Sequence, residues 1–259
     1  MAGEILYFDA VDSTNAVCKR LAAEGAPDGT VVVADRQSAG RGRLGRSFQS
    51  PAGLGLYFSV LWRPACSPEA LLPLTAMGAV AAARAVEKIS RGSVDIKWPN
   101  DLLLGGRKLA GILTESALNA DGSVAYVVLG IGVNVHQRPE DFEGEVREIA
   151  TSLDAALGQR HSRKALAAAL QAELTDLPAP EAWLAEYRRR CVTPGRDVFL
   201  TLDGAEEAVT AVGIDAQYGL IVRRRDGSTV TVRSGEASLH GTYGNRAAPC
   251  REDHKEETE

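Results

Sequence analysis

The sequence predicts an α+β protein, a mainly antiparallel sheet flanked by helices and followed by a small C-terminal β domain. Three observations predict it. Residues 107–116 and 124–135 read as long strands joined by Asn119-Ala120-Asp121-Gly122, a hairpin signal that requires antiparallel neighbours. Residues 68–90 are an Ala-rich run with helical spacing and little polar face, as expected of a helix lying on a sheet. Composition shifts at Thr193-Pro194-Gly195. Beyond it come about five short strands with turns at Asp203-Gly204, Tyr218-Gly219 and Asp226-Gly227, which suits a β-barrel of about fifty residues.

In chain order, residues 4–11 read as a strand that ends in the polar knot Asp12-Ser13-Thr14-Asn15. Residues 16–24 have helical spacing through Val17 and Leu21 and stop at Gly25. Residues 30–34 form a short β-branched strand. Residues 37–53 are dominated by Gly, Arg and Ser without an apolar period, which predicts a loop. Residues 54–62 alternate well enough for a strand. After the Ala-rich helix, 94–98 and 101–104 are short strands about Pro99, and Gly105-Gly106 is a turn signal. Helices resume at 162–174 and 181–190. The expected division is 1–192 for the larger domain, 193–244 for the β domain and 245–259 for a polar, charged, disordered tail.

Composition narrows the function. The chain has 259 residues, 45% hydrophobic and 24% charged, long enough to bury a core without staples. Its four cysteines (Cys18, Cys66, Cys191, Cys250) lie far apart, which excludes a disulfide scaffold or zinc knuckle and fits a reducing compartment. The N-terminus has neither the basic start nor the apolar run of a signal peptide. No stretch of about 18 uncharged apolar residues is evident, so the expected location is cytoplasmic, with no membrane partner. A net charge of −5 gives no reason to expect nucleic acid as a partner. The four histidines are scattered, and no metal-ligand set is predicted.

Four segments carry chemistry. Gly40-Arg41-Gly42-Arg43-Leu44-Gly45-Arg46, preceded by Gln37, concentrates guanidiniums on a backbone that can approach a ligand closely. Arginine forks match phosphate and carboxylate oxygens, although a solvated basic loop has the same composition. Lys97-Trp98-Pro99-Asn100-Asp101 breaks a strand at Pro99, so that Asn100 and Asp101 sit at a turn facing a ligand or metal. In the following Arg107–Leu113 run, strand alternation places Lys108 on the face of Ala110 and Ile112, opposite Leu109, Gly111 and Leu113. Asp12-Ser13-Thr14-Asn15 is either a helix N-cap or a ligand contact. Gly130-Ile131-Gly132-Val133-Asn134 leaves a flat strand face that something must cover.

Taken together and in this order, these segments resemble the catalytic core of biotin protein ligases over roughly residues 5–190, and the C-terminal β domain resembles that family's SH3-like cap. The resemblance implies the class II synthetase-like fold shared by biotin and lipoate ligases. It implies that biotin and ATP, accompanied by Mg²⁺, form biotinyl-5′-AMP, from which a lysine on a carboxylase's biotin carrier domain is modified. By the same resemblance Lys108 is the catalytic residue. Arg41, Gly42 and Arg43 belong to the loop over biotin and phosphate, with Arg46 on the nucleotide side. Ser13, Thr14 and Gln37 match positions that bond the ureido ring, and Asn100 and Asp101 lie near the nucleotide. Gly130 and Gly132 form the floor under biotin, and Asn15 and Asn134 are counted with the same binding set. Phe48 stands where a Trp often packs on adenine, so stacking is retained without the Trp.

Many family members carry an N-terminal DNA-binding domain; only about a dozen residues precede Asp12, so it is expected to be absent. A monomer or a homodimer is equally compatible with the sequence. A lipoate or octanoate ligase of the same fold, a non-catalytic biotin or nucleotide sensor, and an RNA-binding protein using the Arg-Gly loop are the competing readings. Lys108 speaks against the sensor, and the net charge of −5 speaks against RNA.

Overall fold

The structure, a computed structural model, describes residues 5–175, 180–202, 205–233 and 235–239. The chain opens with β1 (Ile5–Val11), α1 (Thr14–Ala23), β2 (Thr30–Gln37) and β3 (Gly55–Trp62). After α2 (Leu74–Ser90) come β4 (Val94–Lys97), β5 (Asp101–Leu104), β6 (Arg107–Leu118) and β7 (Val124–Asn134). Two short helices, α3 (Val146–Ile149) and α4 (Leu153–Leu157), precede α5 (Arg163–Thr175) and α6 (Pro180–Arg190). The last elements are β8 (Arg196–Leu202), β9 (Ala205–Ile214), β10 (Leu220–Arg223), β11 (Thr229–Val232) and β12 (Glu236–Leu239).

The larger sheet has seven strands in the order β1-β2-β3-β7-β6-β5-β4. Its pairs are antiparallel except β1 with β2, which run parallel because α1 crosses over between them. The predicted helix at 68–90 divides at Pro73 into a 3₁₀ turn, Pro68–Leu71, and α2. A proline inside a helix removes a hydrogen bond and clashes with the preceding turn, which accounts for the division. By length and composition Pro68–Ser90 would suffice to cross a membrane, although Glu69, Arg84, Glu87 and Lys88 leave it no uncharged run of 18 residues. More than half of it is buried, and α2 lies against the sheet as a core helix. Gly78 permits the approach, since a Cβ there would stand 2.9 Å from Leu129 Cδ2.

The two faces of the sheet are covered differently. On one, α2 and α5 bury Phe58, Ile112, Leu129 and Ile131 in the main core, each worth about 1.5–3 kcal/mol. On the other, α1 packs Val17, Cys18 and Ala22 on Val32, Leu61 and Val128. Farther along that second face the sheet opens into a cavity.

The second sheet is five-stranded and antiparallel, in the order β11-β10-β9-β8-β12. It is tied to the first by Trp98, whose backbone N–H donates to Thr193 Oγ1 at 2.9 Å and whose indole donates to Tyr218 O at 3.1 Å. The Asp203-Gly204 turn, residues 240–244 of the expected β domain and the expected tail at 245–259 lie outside the described residues.

Candidate active site

Sheet register builds the floor. Asp101 pairs with Gly111, Gly111 with Gly132 and Gly132 with Tyr57, so one row crosses four strands. The next row on that face is Leu113, Gly130 and Ser59. Three glycines in two rows leave the centre bare, and side chains from outside the sheet descend onto it. A Cβ on Gly130 would stand 2.1 Å from Asn15 Oδ1, and one on Gly132 would stand 2.6 Å from the Phe48 ring. Asn15 and Phe48 take the space directly above these two glycines, which still line the cavity.

The polar wall is made by the knot that begins α1. Ser13 is the N-cap residue, with extended backbone, yet its side chain makes no capping bond. The neighbouring side chains bond across the fold instead. Gln37 Oε1 accepts from the Thr14 backbone N–H at 2.8 Å and lies 3.1 Å from Thr14 Oγ1. Gln37 Nε2 donates to Ser50 Oγ at 2.8 Å. Ser59 Oγ lies 2.8 Å from Thr14 Oγ1 and donates to Asn15 Oδ1 at 2.6 Å, and Asn15 Nδ2 donates to Glu115 Oε2 at 2.8 Å. Ser13, Thr14, Asn15 and Ser59 are all buried. Burial disfavours the charge of Glu115, but hydrogen bonds from Lys19 and Asn15 outweigh it and hold the carboxyl below its ordinary range. Burial pushes the Tyr57 hydroxyl up, and that group donates to Pro51 O at 2.9 Å.

Lys108 stands at the other end of the floor. The alternation that put it with Ala110 and Ile112 is overturned by a β-bulge. Leu102 opposes Ala110 while Leu103 opposes Lys108, so Leu109 is the extra residue. Leu109 joins Ala110 and Ile112 in the core, and Lys108 moves to the glycine face, its Cε 3.8 Å from where a Cβ on Gly111 would lie. Its Nζ is 2.6 Å from Asp101 Oδ1.

The predicted loop is mostly irregular, although β2 runs through to Gln37 and Arg43–Gly45 forms one 3₁₀ turn. Its base is closed by an Arg41–Ser47 bridge and by Phe48 N–H donating to Gly40 O at 2.9 Å. Gly40 is required there, since a Cβ would stand 2.3 Å from Phe48 O. Arg43 donates to Asn100 Oδ1 at 3.3 Å and to Gly235 O at 2.9 Å, bridging the two sheets. Arg41 and Arg46 are exposed.

Every residue singled out from the sequence, Lys108 and the fourteen in the binding set, lines one cavity of about 310 Å³, within the range of small-molecule sites. Two of them are braces as well as lining. Asn100 accepts from Arg43 and donates to Ile112 O at 2.9 Å, and Asn134 donates to Thr151 O at 3.0 Å while accepting from Gln137. Sequence reasoning missed Ser59, Tyr57 and Glu115. The last had a signal, since strand alternation puts it on the face of Gly111 and Leu113.

Comparison with known proteins follows the same residues. A family model described as the biotin/lipoate A/B protein ligase family matches residues 7–134. The bifunctional ligase/repressor BirA of Bacillus subtilis (strain 168) is 43% identical over 163 residues, 63% of this chain and 50% of that protein. The chain thus spans about half the length of that relative. The biotin–[acetyl-CoA-carboxylase] ligase of Mycobacterium tuberculosis is 35% identical over 234 residues, 86% of this chain and 84% of that protein. Among solved structures, biotin protein ligase from Aquifex aeolicus in complex with biotin and ATP superposes with a TM-score of 0.76 at 29% identity, covering 91% of this chain and 98% of that one.

Proposed function

The chain belongs to the biotin/lipoate A/B protein ligase family, and on that premise we propose that it uses ATP to attach biotin to a lysine on the biotin carrier domain of acetyl-CoA carboxylase or a related carboxylase. One observation carries the reading. Lys108, Thr14, Asn15 and Gln37 line one cavity over the glycine rows, with Ser59 bonded to Thr14 and Asn15 from behind. Polar groups so placed suit the cyclic urea of biotin, whose N–H and C=O groups need partners when buried. An aliphatic acid such as octanoate or lipoate would leave them unsatisfied.

In the first half-reaction a carboxylate oxygen of biotin attacks the α-phosphorus of ATP. The bond from that phosphorus to the bridging oxygen breaks, pyrophosphate leaves, and biotinyl-5′-AMP forms. Two anions must meet, and the Lys108 ammonium offsets their repulsion and the charge that develops between them. Arg41, Arg43 and Arg46 supply forks for phosphate oxygens, and Phe48 offers a ring for the adenine. In the second half-reaction the ε-amine of the carrier lysine attacks the acyl carbon, AMP leaves, and the nitrogen gives up a proton as the amide forms.

Among the described residues no cluster of three or more His, Cys, Asp or Glu could hold a metal. A Mg²⁺ carried by nucleotide phosphates needs only one or two protein carboxylates, and Asp101, which lines the cavity, fits that part. The ion would offset phosphate charge. The reading places the protein in the cytoplasm. Incubation with ATP, biotin and a carrier domain, followed by mass measurement, tests it. The expected result is a gain of one biotinyl unit on one lysine, with octanoate and lipoate transferred poorly; no gain, or lipoate used as well as biotin, would overturn it.

A further inference from the structure

Glu115 lies outside every segment that pointed to the site, yet it ends the hydrogen-bonded wall. Its side chain is 22% exposed, and its carboxylate is bonded by Asn15 Nδ2 at 2.8 Å and by Lys19 Nζ, with Arg41 Nη1 at 3.9 Å. A carboxylate can only accept hydrogen bonds. The end of the Asn15 amide that faces it is therefore the nitrogen, and the oxygen faces Ser59 Oγ at 2.6 Å. An amide oxygen also only accepts, so the single proton of Ser59 is committed to Asn15. Toward Thr14 Oγ1, 2.8 Å away, Ser59 then has no proton left to give, while the Thr14 hydroxyl donates to Gln37 Oε1 at 3.1 Å. At the far end the Thr14 backbone N–H, which can only donate, fixes the oxygen of Gln37 inward at 2.8 Å.

We propose that Glu115 is a positioning residue that sets the donor–acceptor polarity of the wall recognising the cyclic urea of biotin. The proposal rests on the reading of biotin as substrate. A glutamine at this position could present oxygen or nitrogen to Asn15. A flipped Asn15 would turn its nitrogen to Ser59 and release the Ser59 proton toward Thr14 Oγ1, whose own proton goes to the Gln37 oxygen. The wall would then exist in two proton arrangements, of which one mispairs the urea. Gly130 gives Asn15 its place in the wall, because the amide oxygen stands 2.1 Å from where a Cβ on that residue would lie.

The test is biotin-dependent exchange of pyrophosphate into ATP, with a thermal melt of each variant. For Glu115→Gln we expect the KM for biotin to rise about tenfold, as for one lost hydrogen bond to a buried group, with the KM for ATP and kcat within about twofold. Lys19→Met keeps the carboxylate and should leave the KM for biotin within about twofold. A folded Glu115→Gln with unchanged KM for biotin overturns the proposal, as does an equal rise in the KM for biotin and ATP, the mark of a general charge effect. Should that variant not fold, Glu115→Asp and Glu115→Asn form an isosteric pair. The amide should then bind biotin several-fold more weakly than the carboxylate, and equality of the two overturns the proposal. A wild-type chain that shows no biotin-dependent exchange overturns the biotin reading itself and this inference with it, whereas failure confined to the variants overturns only the inference.

Discussion

The wall and the arginine loop face the same cavity and are built in opposite ways. Thr14, Asn15, Gln37 and Ser59 bond to one another through distances of 2.6–3.1 Å, and three of the four are buried. Across the cavity the Arg41 side chain is 55% exposed, and Leu44, which is 71% exposed, holds a left-handed φ of 53°. A wall whose partners are already in place orders little on binding and so retains the free energy of each new contact. A loop of glycines and like charges gives up about 1–2 kcal/mol of backbone entropy for each residue it fixes, and an anion must offset that cost. The difference teaches that, on the proposed function, recognition of the ring and capture of the phosphate are separate physical problems, one set to rigid structure and the other to an exposed glycine-rich loop.

The largest expected effect falls where the two meet. Lys108→Met keeps the side-chain length and removes the charge, and adenylate formation should fall at least a hundredfold, since one preorganised electrostatic contact is worth about 3 kcal/mol. Single-turnover measurement from biotin and ATP, set beside transfer from pre-formed biotinyl-AMP, checks it. A near wild-type rate of adenylate formation would remove Lys108 from the chemistry.

A smaller effect should separate wall from loop. Gly130→Ala drives a methyl into Asn15, which is pinned by Ser59 and Glu115 and cannot yield without breaking those bonds. The KM for biotin should rise about tenfold with that for ATP little changed, and overpacking of about 1–3 kcal/mol should lower Tm by several degrees. If the KM for ATP rises as much, the wall and loop are not separable.

The smallest effect concerns the loop alone. Arg41 and Arg46 are exposed trypsin sites, with a third, half-buried, at Arg43. Limited digestion should be several-fold slower with biotin and ATP than without, as expected of a loop that orders around its ligand. Equal rates in both conditions would make the loop as fixed as the wall and erase the contrast.

Much of the site was legible because its segments carry unusual chemistry at short range. Three arginines among glycines, a lysine three residues before a third glycine and two glycines alternating along β7 announce themselves without a structure. The side to which Lys108 points did not. Strand alternation is a local rule, and the bulge at Leu109 that breaks it depends on how Leu102 and Leu103 of β5 register against β6. The Asp12–Asn15 knot does cap α1 at Ser13, but without a side-chain capping bond, and Thr14 and Asn15 found partners far away in sequence.

Alternation, turn residues and composition were by themselves enough to establish a mainly antiparallel α+β sheet, a loop of arginines, a helix against the core and a β-rich C-terminal segment. Each of those properties depends on residues a few positions apart. Which groups share a hydrogen bond is not of that kind. Thr14 reaches Gln37 across 23 positions and Asn15 reaches Glu115 across 100, and those pairs exist only once β2, β3, β7 and β6 lie side by side. The pairing within the wall and the face of Lys108 were therefore settled by sheet register and by the bulge, because a directional bond needs its partner within about 3 Å and chain order places no distant partner there.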